Sequence, residues 1–302
     1  MQDRHRFFCL STGMAVALLA GTLLGTTARA EEGATAPDEP NTGALTLTFD
    51  NSFTTAYMFR GILNERDGLI WQPSIDLSLN VFESEDGVVR SVDLGFGTWA
   101  SVHSEDTGSA GGGPDAMYEA DYYPSVSVSW VGGVTSAVAY YFFTSPNNAF
   151  LTVEELTVDL SYDDSELLGA FAMSPTATFA FETHRSSLGT GRGVSLELGV
   201  EPGAEVKLPT PSGDKYPISV TFPVKLGLSL DDYYKDGSEN DAFGYARMGL
   251  HASVPLACIP ARYGLWSVTN GFDVYFLNDA LEAINRYDEV YPVWTSSLTL
   301  DY

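Results

Sequence analysis

Asp50, Asp76, Asp93, Asp121, Glu155, Asp159, Glu182, Glu197 and Asp273 stand in alternating runs, each on the side carried by Ser, Thr and Gly and opposite Val, Leu and Phe. Successive side chains of a strand point to opposite faces, so these carboxylates occupy the face that the apolar residues do not. Arg60, Lys225, Arg247 and His251 take the same side. Many carboxylates against few cations could favour cations and neutral polar solutes in a wet passage, or pair across a filled interior as buried charges usually must. Arg60 and Arg247 would then form one side of a charge ladder at a constriction, or neutralise neighbouring carboxylates.

Other chemistry finds less support in the residues. Hydrolysis needs a nucleophile within hydrogen-bond reach of a base. Beyond residue 30 the histidines are His103, His184 and His251; all three take polar-face parity, and none stands in a recognisable serine-hydrolase pattern. No catalytic residue is therefore expected, and the enzyme alternative is a lipid hydrolase working on the outer wall of a barrel. The stretch DDYYKDGSENDAF is rich in oxygen ligands, but Asp232, Asp236 and Asp241 do not follow the spacing that builds a calcium loop. Neither a metal nor another cofactor is expected.

The elements that must position these residues are strands. Twelve alternating segments run at about 45–59, 70–82, 89–102, 120–131, 134–144, 152–162, 170–183, 193–206, 216–230, 243–256, 265–277 and 291–302, with no convincing helical periodicity between them. In the second, Trp71, Ile75, Leu77, Leu79 and Val81 oppose Gln72, Ser74, Asp76 and Ser78. In the eighth, Val194, Leu196, Leu198 and Val200 oppose Ser195, Glu197 and Gly199. Many segments reach the 9–11 residues that a tilted strand needs to cross a bilayer, where a mean soluble strand has five or six. A soluble β-sandwich also alternates, but its solvent face would carry many Lys and Glu rather than Ser, Thr and Gly. The pattern predicts an all-β transmembrane antiparallel up-and-down β-barrel of about twelve strands spanning 45–302. Misreading the fifth segment or the turn at 202–215 would make the count ten or fourteen.

The flanks and composition agree with export to a membrane. Arg4, His5 and Arg6 precede an apolar run from Gly13 to Leu24 and a small-residue site at Ala28 and Ala30, which predicts a signal peptide over 1–30 and an acidic periplasmic linker over 31–44. The apolar run is too short for a spanning helix. Without residues 1–30 the chain carries 12 basic and 39 acidic residues, a formal charge of −27, so phosphate-bearing nucleic acid is excluded as a partner. Cys258 is then the only cysteine, and no intramolecular disulfide can form. Only 18% of the chain is charged while 13% is aromatic, a balance suited to outer-membrane lipid as the partner of the apolar faces. Tyr57, Trp71, Tyr122, Trp130, Tyr162, Trp266, Trp294 and Tyr302 sit near segment ends, where interfacial girdles belong.

Long connections alternate with short ones such as ESEDG, VGG and DDSE, and only PTPSGD breaks the rhythm. In YPISVTFPVKLGLSL, Pro223 lacks the N–H that a paired strand donates, which predicts a bulge or a protruding strand there. The last strand, WTSSLTLDY, resembles the C-terminal signal of bacterial outer-membrane barrels, which implies the barrel-assembly machinery as a partner, with Tyr302 where Phe is commoner. Finally, Tyr57, Phe59, Arg60 and Gly61 form a Y-x-FRG motif followed by WQPSIDLSL, a stretch that resembles the TorF or Gcw_chp family of porin-like proteins. The resemblance implies an outer-membrane barrel and a pore, and names no solute. A surface barrel with structural or adhesive loops is the alternative that needs no conductance. Oligomeric state has no legible signal.

Overall fold

The computed structural model describes residues 41–108, 114–189, 191–209, 215–236 and 239–302. The predicted signal, its cleavage residues Ala28 and Ala30, and the linker as far as residue 40 lie outside the described residues.

Twelve antiparallel strands close into one ring. They are β1 (Leu45–Thr54), β2 (Ile70–Glu83), β3 (Val89–His103), β4 (Met117–Trp130), β5 (Val134–Thr144) and β6 (Val153–Tyr162), then β7 (Thr176–His184) and β8, which runs Val194–Val200 and Gly203–Pro209. β9 runs Lys215–Thr221 and Val224–Asp231, followed by β10 (Phe243–Pro255), β11 (Leu265–Leu277) and β12 (Val290–Asp301). Each strand pairs with its sequence neighbours, and β12 returns to β1, with Thr48 opposite Asp301 and Thr54 opposite Thr295. Ring closure rules out the sandwich and leaves no free edge around the wall.

The faces follow the parity. Leu77, Phe96 and Leu250 point outward and are 38%, 48% and 50% exposed. Trp71 and Trp294 mark one rim of this apolar belt and Trp130 and Tyr302 the other, all with exposed rings. Tyr57 is a correction: it is buried inside the ring, not on a girdle.

Expected strand limits also change. The first strand stops at Thr54, and Tyr57–Phe59 with Ile62–Glu65 forms a separate hairpin inside the barrel. β7 starts at Thr176 rather than 170, because the preceding connection holds a short helix, Ser165–Leu168. Beyond Val200, β8 pairs only with β9, so Gly203–Pro209 and its partner extend past the rim as a hairpin; this is why the PTPSGD connection breaks the rhythm.

Pro223 produces neither a bulge nor a protruding end. Pairing resumes at Val200↔Val224 and Gly203↔Thr221 on one side and at Met248 and His251 on the other, with two unpaired residues on every strand. Register therefore survives the gap. Pro202 lies opposite, the Phe222 N–H donates to its carbonyl at 2.9 Å, and the Gly249 N–H donates to the Pro223 carbonyl at 2.8 Å. Pro73 and Pro124 open gaps of the same form on one side each, because a missing donor removes a ladder bond without adding a residue.

Candidate functional site

The loop at the end of β1 turns inward and sets the layout of the lumen. Arg60 and Gly61 have φ of 46° and 79°, so the hairpin reverses on two residues in left-handed conformation, as tight hairpin turns require. Gly61 is also packed closely: a Cβ there would come within 2.8 Å of Leu281 Cδ1. Tyr234 Oη donates to the Arg60 carbonyl at 3.0 Å, and Asn285 Nδ2 donates to the Gly61 carbonyl at 2.6 Å. Asn285 also accepts from the Leu63 N–H at 2.9 Å, and it ends a short helix, Asp279–Ile284, that Asn278 caps.

Arg60 thus reaches the lumen from this hairpin and not from a wall strand. Its guanidinium forks onto Glu155 at 2.5 and 2.7 Å and lies 3.8 Å from Glu197. Tyr245 donates a hydrogen bond to Glu197, and Lys225 lies 3.8 Å from the same carboxylate. Farther round, Asp273 takes Arg247 at 2.7 Å and His251 at 3.1 Å. Beside these pairs Tyr233, Tyr234, Tyr245, Tyr275, Tyr291 and Leu281 form a buried cluster. Of the residues that parity placed on this face, Glu155, Glu197, Lys225, Arg247, His251 and Asp273 come together here.

Beside these pairs the lumen is open, and Arg60, Glu155, Glu197, Lys225 and Arg247 border that space. A cavity of about 630 Å³ runs from Thr46, Ser129 and Ser161 at the short-turn end up to Tyr57 and Phe59 of the inner hairpin. Asp76, Asp93, Asp121 and Asp159 line it. Asp76 accepts from Tyr123 at 2.7 Å, Asp93 from Asn80 at 2.9 Å and Asp159 from Thr178 at 2.6 Å. Among the described residues none of these four carboxylates forms an ion pair. Asp50 and Glu182 face inward as predicted but do not line this space. Asp50 accepts from Thr299 at 2.8 Å, and Glu182 ties down the next loop through the Ser187 and Gly193 N–H groups at 2.6 and 2.9 Å.

A second cavity, about 700 Å³, opens at the loop end between Tyr118, Phe150, His184, Arg185 and Arg192. Tyr57, Phe59 and Phe143 line both spaces and separate them. Glu119 borders the outer cavity and Asp121 the inner one. Sequence reasoning left out Glu119 because it began the fourth strand at residue 120. The signal was present: Glu119, Asp121 and Tyr123 share parity in EADYY.

A hydrogen-bonded chain holds the neighbouring loop. Ser101 Oγ and His103 Nε2 are 2.7 Å apart, His103 Nδ1 and Thr107 Oγ1 2.6 Å, and Thr107 donates to Glu65. Ser101 and His103 are 0% and 1% exposed, so neither lipid nor solute reaches the pair. Burial pushes the Glu65 carboxyl up, but hydrogen bonds from Thr107 and from the Asp67 and Arg66 N–H groups outweigh it and hold the group below the ordinary glutamate range.

No family model matches the chain, and no curated protein matches it. Among solved structures it is similar to a NanC porin in a rhombohedral crystal form, with TM-score 0.40 and 8% identity over 84% of this chain and 98% of that one. It is also similar to the β-domain of the Bordetella autotransporter BrkA, with TM-score 0.39 and 9% identity over 87% and 99%. A third likeness is to a bacterial polysaccharide outer membrane secretin, with TM-score 0.42 and 8% identity over 86% and 98%. The barrel itself rests on the strand pairing above.

Proposed function

We propose that the chain is an integral outer-membrane barrel acting as a porin-like passive channel for small polar or cationic solutes. A closed ring with a continuous apolar exterior is costly in water and suits lipid, where a barrel satisfies its own backbone hydrogen bonds. On this reading the short turns face the periplasm and the long loops the outside. The chain is exported by a signal cleaved after Ala30 and inserted by the barrel-assembly machinery through β12. The likeness to the TorF or Gcw_chp family agrees with it, and the Y-x-FRG motif acquires a physical role as the tip of the inner hairpin.

The observation that carries the channel reading is the division of charge. Arg60, Lys225 and Arg247 border the open cavity already paired with carboxylates, while Asp76, Asp93, Asp121 and Asp159 line it without an ion pair among the described residues. Such a wall attracts cations and repels anions. One observation favours a second reading, a non-conducting structural or adhesive barrel: Tyr57, Phe59 and Phe143 stand between the two cavities. A lipid hydrolase gains no support from Ser101 and His103, which are closed to solvent. Single-channel recording of the refolded chain tests the channel reading. Discrete conductance steps are expected; silent bilayers holding correctly folded protein would favour the surface barrel.

A further inference from the structure

The constriction has a chemistry of its own. Glu119 and Asp121 are alternate residues of β4, roughly 7 Å apart along the strand, and both are buried, at 6% and 5% exposure. Tyr57 Oη donates to Glu119 at 2.8 Å. Asp121 Oδ1 is buried without a hydrogen-bond partner, and among the described residues no Lys, Arg or His pairs with either carboxylate. Buried carboxylates left this way are expensive, and a donor carrying positive charge relieves them best.

The surroundings are aromatic. The rings of Tyr57 and Trp99 lie 5.2 Å apart, those of Tyr57 and Tyr118 6.2 Å, and those of Phe59 and Phe143 5.5 Å. Aromatic faces attract organic cations and bury aliphatic groups. A hard metal ion wants six or more oxygen ligands, whereas no group of three or more His, Cys, Asp or Glu side chains suited to a metal occurs among the described residues. A primary ammonium brings three donors on one charge, and a short alkyl body matches the rings.

We infer that this constriction is a selective subsite for small organic cations, a primary ammonium on a short aliphatic body, held by Glu119 and Asp121 between Tyr57, Trp99 and Phe143. The inference deepens the channel reading and rests on it for the route by which the cation arrives.

The test uses the refolded full-length barrel with n-butylammonium chloride as probe and potassium and glucose as comparisons, the heat-modifiable gel shift confirming that each variant folds. Butylammonium should interrupt the potassium current at concentrations at least tenfold lower in the wild type than in Asp121→Asn or Glu119→Gln, and glucose should leave it unchanged. It should also quench tryptophan fluorescence saturably in the wild type, and not in Trp99→Phe or Asp121→Asn. Equal block in wild type and both variants, or quenching by glucose instead of butylammonium, overturns the subsite and leaves the channel standing. Absence of any current overturns the channel reading; the fluorescence titration then decides the subsite alone, saturable quenching supporting it and none refuting it.

Discussion

Paired and unpaired carboxylates face the same lumen in opposite states. On the paired side Glu155 of β6, Glu197 of β8 and Asp273 of β11 meet Arg60, Lys225, Arg247 and His251, with tyrosines packed beside them. On the other, Asp76, Asp93 and Asp159 receive only hydroxyl or amide donors and look onto a cavity. The difference teaches that an acidic lumen need not be uniformly acidic. Pairing neutralises one group of carboxylates and holds it rigid, and the uncompensated charge stays with the other group on the cavity wall.

The comparison breaks hardest at the inner hairpin. Arg60→Ala strands Glu155, which is 0% exposed, and removing one partner of a buried ion pair costs about 3–5 kcal/mol. Urea unfolding from lipid vesicles should show a loss of that order, with larger single-channel conductance as the hairpin leaves the lumen; unchanged conductance would mean that the hairpin does not narrow the route. Gly61→Ala should act in the same direction with a smaller loss, at least about 1–2 kcal/mol for the left-handed backbone, with the Leu281 contact adding to it. Wild-type stability in that variant would show that the turn is not tightly held.

Substitutions on the open side should behave differently. Asp76→Asn and Asp159→Asn each alter a hydrogen bond worth about 0.5–1.5 kcal/mol and no ion pair. Their main effect should be a reversal potential closer to zero, with near-normal unfolding. Unfolding losses matching that of Arg60→Ala would erase the distinction between the two sides.

The smallest effect concerns pH. Glu65 is held below its ordinary value, so its contribution to loop anchoring is complete above the unfolded glutamate pKa, about 4.3, and is lost as pH falls through the lower folded value. Hydrogen exchange around Leu63 to Asp67, corrected for intrinsic rates, should lose protection on acidification below that range. Glu65→Gln should flatten the profile; a persisting acid transition would assign it to another group.

Alternation made the wall legible. Asp76 and Leu77 take their faces from a period of two that a lipid belt and a polar lumen enforce along every strand. The inner hairpin was not legible in the same way, because Tyr57 to Phe59 follows directly on the first segment while the residues that hold it, Glu119, Glu155, Tyr234 and Asn285, are distant in sequence. Gly61 was the available sign of a reversal, and the ion pair that fixes Arg60 lies 95 residues away, beyond any local pattern. Pro223 was correctly singled out. Its outcome differed because Pro202 and Pro223 fall within the same two-residue gap, so both strands lose bonds together and no residue is added. Glu119 fell outside its strand by one residue, an ordinary boundary error that concealed half of the constriction.

The central claim is that the open lumen carries uncompensated negative charge. Reversal potential across a potassium chloride gradient at neutral pH tests it most directly. The sign should report potassium permeating in preference to chloride, and should move toward zero in Asp76→Asn with Asp159→Asn. A wild-type potential reporting chloride preference would contradict the account.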